Sequence, residues 1–481
     1  MLLSLLKVPR LCFVLGLGSA GAACLPAGNP CAAGDLGCTG YSSYVLYQFR
    51  DASTAELDCL LDRDRIAPGI TTIDINPGTG ASNAQEFICL NDRILFQADD
   101  GTHGAELWST DGTAAGTMLL MDIQPGATGS TPRNFARMGD VLFFGADNGT
   151  NGEEVWRTDG TAAGTYLLHD VNPGAGASTS QGFLELNGLI YFHAFDGSSN
   201  EVHSTDGITL TNLTGTDPDY GGGSGSATVL AGQFFFWDGD HNTLNRELYS
   251  YGPAAGLTFL QDILVGGAGS FPTELTAFHN MVLLQGDDGG ATFGSEIRLS
   301  SGTDFQTIDF NPGTASSTPQ YFFDFGDRAL LRATNGSGTG LAATDGTSAG
   351  TTMITTTVQP FDTFAGLNGS AYFNGFNGGE QELWVTDGSA GGTSLVADLN
   401  SGGSSSPNKL TATDSYLVFR ANGTSTGNEF YVMDTNRNVT LYDISPGAGG
   451  SLPDNLYAAD ELIFFRATDT TNGYELRVFK Q

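Results

Sequence analysis

The chain has 481 residues with 19 basic and 53 acidic side chains, a formal net charge of −34. Such a field repels nucleic acid and anionic lipid, and it excludes a nucleic-acid partner. Hydrophobic residues make up 40% of the chain, enough to build a core, while 68 glycines and 17 prolines mark a turn-rich fold.

At the N-terminus Lys7 and Arg10 precede a short apolar run over 11–17 and the small residues of 19–23. This pattern predicts a signal peptide over residues 1–23 and an exported protein in an extracellular, periplasmic or outer-surface location. The apolar run is too short to span a bilayer, and no later segment is long enough. Gly21-Ala22-Ala23-Cys24 resembles a bacterial lipobox, which makes Cys24 the candidate lipidation site. A lipid on Cys24 would be the membrane contact. Cleavage leaves Cys24, Cys31, Cys38, Cys59 and Cys89. Lipidation of Cys24 would leave four cysteines, able to form two disulfides whose connectivity stays open. Residues 24–69 form a Cys-containing segment, in which Tyr44–Asp64 resembles a worn repeat with Glu56-Leu57.

From residue 70 to 481 one unit recurs. An Asp-Ile-x-Pro-Gly corner and its weaker forms stand at Asp74, Asp122, Asp170, Asp262, Asp309, Asp398 and Asp443, at intervals of 48, 48, 92, 47, 89 and 45 residues. The two double intervals hide degenerate corners near Gly215 and Pro360. A period of this length means a solenoid or a propeller. Within one unit, Phe87–Leu90, Ile94–Phe96, Glu106–Trp108 and Met118–Leu120 read as four short strands. Asn-Asp, Gly-rich and Thr-Asp-Gly-Thr turns join them. The second strand is a continuous apolar run, as in Val141-Leu142-Phe143-Phe144 and Leu462-Ile463-Phe464-Phe465. Such a run is buried on both faces, as in a blade packed between two others. The chain therefore reads as an all-β, single β-propeller of about nine four-stranded blades, with eight to ten allowed by the count. The strand at 70–75 closes the ring by completing the last blade.

Glu106-Leu107-Trp108-Ser109-Thr110-Asp111-Gly112-Thr113 resembles the bacterial ELWxxDGT repeat family. Glu154–Thr161 and Glu382–Gly388 repeat the motif, and Gly116-Thr117, Gly164-Thr165, Gly350-Thr351 and Gly392-Thr393 extend it. The resemblance implies an exported or surface-associated, hyalin-like bacterial protein and no settled activity. His203, Tyr249, Arg298 and Ala342 stand where the motif has Trp.

The repeated Glu is the first candidate for chemistry: Glu106, Glu154, Glu201, Glu247, Glu296, Glu382, Glu429 and Glu475, with Gly340 in one unit. At a strand start it is expected to accept hydrogen bonds from the preceding Gly-rich turn. The sharper alternative is Ca²⁺ held by Asp99, Asp100 and Glu106, since hard oxygen ligands on a Gly-rich loop suit that ion. The turn aspartates (Asp111, Asp159, Asp206, Asp345, Asp387) read as Asx turns. The corner aspartates Asp122, Asp170 and Asp443 read as caps of their own following backbone. No catalytic residue is assigned, because six His are scattered, no Gly-x-Ser-x-Gly elbow appears and the Arg residues are unpatterned. The irregular stretches Gly215–Ser226 and Trp237–Asn242 interrupt the repeat, where insertions often carry binding. The expected function is a monomeric binding or scaffold module for a protein or glycan. The alternative is an extracellular hydrolase or lyase acting on polysaccharide.

Overall fold

The computed structural model describes residues 59–214, 227–240, 245–252, 256–264, 270, 272–290 and 292–481. The signal peptide, Cys24, Cys31, Cys38 and the stretch Gly215–Ser226 lie outside the described residues. So do His241 and Asn242. Of Tyr44–Asp64, residues 59–64 are described, and they form no strand.

The strands make nine antiparallel sheets, eight of them ordered as the chain runs, in a nine-bladed β-propeller. Blade one consists of Gln85–Leu90, Arg93–Asp99, Ala105–Thr110 and Met118–Met121. Blades two to eight span 133–169, 181–212, 227–261, 273–308, 320–355, 359–397 and 408–442. Blade nine is built from Asp454–Ala459, Leu462–Ala467 and Glu475–Lys480, with Gly69–Ile73 as its outer strand. That strand pairs Gly69 with Lys480 and Ile73 with Leu476, so the start of the propeller closes its end. The first strands of neighbouring blades touch, which puts them at the axis.

The apolar second strands are buried as their composition predicts. Ile94, Phe96 and Ala98 pack toward blade nine, while Leu95 packs toward blade two. Cys59 and Cys89 form a disulfide that ties the segment before the closing strand to the inner strand of blade one. Among the described residues no helix is long and apolar enough to cross a membrane.

The repeat motif has a mechanical explanation. At the Thr-Asp-Gly-Thr turn, Asp111 Oδ1 accepts from the N–H and the hydroxyl of Thr113, at 2.9 and 2.6 Å. Thr113 Oγ1 then accepts from Gly116 N–H at 3.0 Å, and Thr110 and Thr117 share a hydroxyl contact of 2.6 Å. A Cβ at Gly116 would lie 2.0 Å from Asp111 Oδ1. The same clash recurs at Gly164, Gly350 and Gly392, so only glycine fits where the motif repeats it.

The Trp position faces a fixed partner on the second strand, as in Phe96 opposite Trp108 and Phe144 opposite Trp156. Where Trp is absent, other flat groups fill the slot, except in blade six, where Ala342 stands opposite Leu331. His203 stacks on Phe192 with centroids 5.6 Å apart, and Tyr431 on Phe419 at 5.5 Å. Arg298 is buried there within 3.9 Å of Asp288, and Arg477 donates to Asp469 at 2.6 Å. A buried guanidinium survives because a loop carboxylate arrives with it.

Candidate functional site at the axial mouth

The repeated glutamates are buried, and they stand opposite Ala or Gly in most blades, as with Ala98 and Glu106 or Ala467 and Glu475. The small partner leaves the carboxylate room. Glu106 accepts from Ile123 N–H at 2.9 Å, Gln124 N–H at 3.0 Å, Ser130 N–H at 2.9 Å and the Ser130 hydroxyl at 2.5 Å. Glu382 bonds Leu399 and Ser405 in the same way, and Glu475 bonds Ile75 and Ser82 across the ring closure. The expected donor in the preceding turn is found in blade three, where the Ser199 hydroxyl donates to Glu201 at 2.6 Å, and is corrected for Glu106, Glu382 and Glu475. For these the donors are the corner after the outer strand and a serine at the threshold of the next blade. The corner aspartates are corrected too. The corner N–H groups go to the glutamate, Asp122 Oδ1 is buried without a partner among the described residues, and Asp170 accepts from Asn151 at 2.9 Å. The glutamates are blade-to-blade staples.

The proposed calcium ligands are spent on their own turn. Asp99 accepts from Gly101 N–H at 2.7 Å, and Asp100 accepts from Thr102 and His103 N–H at 2.8 and 2.9 Å. Glu106 points to the corner instead. Among the described residues no group of three His, Cys, Asp or Glu could hold a metal ion. His103 Nδ1 meets Asp100 Oδ2 at 2.8 Å, a His–carboxylate contact closed within one turn.

Titration of these buried groups sets a pH dependence. Burial pushes the Glu106, Glu154, Glu247, Glu296, Glu429 and Glu475 carboxyls up despite their donors, Glu154 to about 7. Each raised group stabilises the fold fully below its unfolded value of 4.5, and that contribution is lost as pH rises through the folded value. His193 acts oppositely. Burial, then the charge of His203, pushes it down from 6.5 to about 4, so its contribution is lost as pH falls between those values. Asp159, Asp345 and Asp387 are held low by hydroxyl hydrogen bonds and lose their contribution in stronger acid. Burial pushes His169 and His203 down as well, and the six raised glutamates outweigh these three histidines. The melting midpoint is therefore expected to rise by a few degrees from about pH 8 to about pH 5 and then fall. Glu154→Gln should flatten the slope between about pH 5 and pH 7. A midpoint that falls steadily from pH 8 to pH 5 would contradict this assignment.

The inner strands carry a second repeated device. Their second residue has left-handed backbone: Glu86 at φ 60°, Asn134 at 59°, Glu274 at 60°, Tyr321 at 59°, Lys409 at 57° and Asn455 at 54°. Each sits in a register shift, for example between Gln85 and Ile88. Bulges with strained residues re-aim side chains and cluster where function is carried. One blade's carboxylate secures the next blade's strained N–H: Glu86 accepts from Asn134 at 2.9 Å and Glu274 from Tyr321 at 2.8 Å.

Just before each bulge lies a polar ring. The first residue of the inner strand is Gln85, Arg133, Gln181, Thr273, Gln320, Asn408 and Asp454 in blades one, two, three, five, six, eight and nine. Opposite these stand Gln97, Gly145, His193, Gln285, Arg332, Arg420 and Arg466. Both positions lie at the end of the inner strand where the chain crosses over from the previous blade. This ring of amides and guanidiniums lines the mouth of the axis. Arg133 is taken by Glu153, while Asp454 is shared by Arg466 at 3.0 Å and Lys409 at 3.3 Å. Arg332 and Arg420 have no carboxylate partner among the described residues. Arg332 donates to Gln320 at 3.5 Å and Arg420 to the Pro453 carbonyl at 3.4 Å. The mouth thus holds two guanidiniums without a carboxylate partner among the described residues, in a chain of net charge −34.

Sequence reasoning missed this ring and treated the arginines as unpatterned. The signal was present: Arg420 and Arg466 are the fifth residue of a second strand and Arg332 the fourth, a position held by Gln, Gly, His or Asn in blades one, two, three, five and seven inside an otherwise apolar run. His169, His193 and His203 also come together around blade three, where His169 Nε2 meets Thr205 Oγ1 at 2.9 Å.

No protein-family model matches the sequence, and no curated protein matches it. Among solved structures, the chain is similar to a puromycin hydrolase at 14% identity, with a TM-score of 0.39, covering 70% of this chain and 58% of that one. It is similar to a puromycin-hydrolyzing peptidase of Mycobacterium tuberculosis at 11% identity and TM-score 0.40, covering 72% and 60%. It is also similar to a structure from a study of two prolyl endopeptidases, at 10% identity and TM-score 0.42, covering 83% and 55%. The chain thus spans little more than half the length of these proteins.

Proposed function

We propose that this protein is an exported binding module that engages its ligand at the axial mouth. The observation that carries the reading is the ring of exposed and half-buried amide and guanidinium groups, in which Arg332 and Arg420 are left without a carboxylate partner among the described residues. Donors concentrated at one register position over several blades suit recognition of a polar ligand. The recurring glutamates and the Asp100–His103 pair are committed elsewhere, since the glutamates hold crossovers and Asp100 with His103 closes a turn. The signal-like residues 1–23, the lipobox-like Cys24 and the resemblance to the ELWxxDGT family support a role at the bacterial surface, anchored by lipid or free.

The test is retention of the purified chain on a panel of immobilised polysaccharides and cell-envelope preparations. The expected result is retention by at least one surface and its loss in the triple variant Arg332→Ala, Arg420→Ala, Arg466→Ala with an unchanged circular-dichroism spectrum. Retention that survives in the folded triple variant would move the binding surface away from the mouth.

A further inference from the structure

Blade seven breaks the ring's regularity at the place where its charge is least compensated. Its inner strand is split into Gln359–Pro360 and Ala365–Leu367, and a short loop stands between them. Phe361 in that loop is 37% exposed, a large apolar side chain left open at a polar mouth. The Arg332 guanidinium of blade six lies over its ring, 4.9 Å from the centroid. Phe376 supports Phe361 edge-on, with centroids 5.5 Å apart. Asn374, the blade-seven member of the ring, is 5% exposed, and its Oδ1 is buried without a partner among the described residues while its Nδ2 donates to Gln381 at 3.3 Å. A buried amide oxygen with no donor is costly unless something supplies one. The acid beside Phe361, Asp362, is turned back on the chain and accepts from Thr363 N–H at 2.8 Å.

We propose that the Arg332–Phe361–Asn374 cluster binds a carboxylate-bearing sugar, a uronic acid residue of a glycan. This assignment rests on the reading of the mouth as the binding surface and names its ligand class. A planar guanidinium with unspent N–H donors is the side chain suited to a carboxylate, in paired hydrogen bonds. An exposed aromatic ring next to it offers a flat apolar surface to a pyranose face. The unpartnered amide oxygen takes a sugar hydroxyl as its donor. Gln320 beside Arg332, in the same ring, supplies further groups of matching type. An acidic peptide would satisfy the arginine but presents no pyranose face to the aromatic ring. The Asp-rich turns on the same side, such as Asp99-Asp100 and Asp287-Asp288, surround the mouth with negative charge. They disfavour a long polyanion lying across the face, so the ligand enters as a short chain or a chain end.

The experiment is calorimetric titration of the full chain with trigalacturonate, with its methyl ester, and with a hexaglutamate peptide. Trigalacturonate is expected to bind, and both the methyl ester and the Arg332→Gln variant should weaken binding by about tenfold or more. Arg437→Gln, in an exposed hairpin at the opposite end of blade eight, should leave binding unchanged and serves as the folding and charge control. Equal affinity for the ester would overturn the carboxylate assignment while keeping the mouth as a glycan site. Binding of hexaglutamate alone would replace the sugar by a protein ligand, and binding of none of the three would remove the assignment.

Discussion

Glu106→Leu is expected to destabilise the propeller by about 4 kcal/mol, the largest loss from any single carboxylate. The substitution keeps the volume but strands Ile123 N–H, Gln124 N–H, Ser130 N–H and the Ser130 hydroxyl in a site closed to water. Each orphaned buried donor costs about 1–3 kcal/mol, and the four relax only partly because they belong to one crossover. Glu106→Gln should cost less than the leucine variant, since the amide oxygen still accepts from some of these donors while the amide NH₂ faces the rest. Urea denaturation monitored by tryptophan fluorescence would measure both. An effect of Glu106→Leu below about 1 kcal/mol would show that the staple is dispensable. Blade six shows how the chain lives without it. Gly340 stands in the glutamate position, and a Cβ there would lie 2.1 Å from the Thr355 carbonyl. The outgoing backbone fills the space that the carboxylate occupies elsewhere, and Gln359–Pro360 pairs in place of a corner.

Removal of the closing strand is expected to be comparably severe. Gly69–Ile73 is the outer strand of blade nine, and Ile73 with Ile75 is buried against blades nine and one. Lys480 Nζ donates to the carbonyls of Arg63 and Ile66 at 2.7 and 3.0 Å, binding the last strand to the segment before the first. Deleting residues 1–74 bares the edge of Glu475–Lys480 and takes away Cys59 as well. The truncated chain should lose its cooperative transition and self-associate through the free edge. The milder Ile73→Ala should cost about 3 kcal/mol through the cavity it leaves. Size-exclusion chromatography and denaturant melting would check both. A monomeric truncated chain with an unchanged midpoint would mean that the ring does not depend on its closure.

Much of this architecture was legible because it repeats. The spacing of Asp74, Asp122 and Asp170 gave the blade length, and the doubly buried runs such as Leu189–Phe192 gave the second strand. Gly116 and its counterparts are a repeated signal whose cause, the closeness of the Asp111 carboxylate, needed coordinates. The glutamates were visible as recurrent and structural, but their donors lie 17 to 24 residues ahead in the next crossover, beyond any local turn rule. The inner-strand bulges were invisible because Glu, Asn, Tyr and Lys all occupy the left-handed position, with no composition that marks a bulge. Residues such as Arg332 and Arg420 looked scattered because the eye follows the chain, where they are 88 positions apart.

By itself the sequence determined the class, the repeat and the closure. Hydrophobic period, turn chemistry and a lone N-terminal strand are local properties, and each blade obeys them separately. Tertiary structure decided what the repeats share across their boundaries: which backbone each carboxylate holds, which residues line the axis, and where charge is left uncompensated. Those are relations between neighbouring blades, set by packing one sheet against the next. They place Arg332 on Phe361 in a gap that neither blade six nor blade seven contains alone.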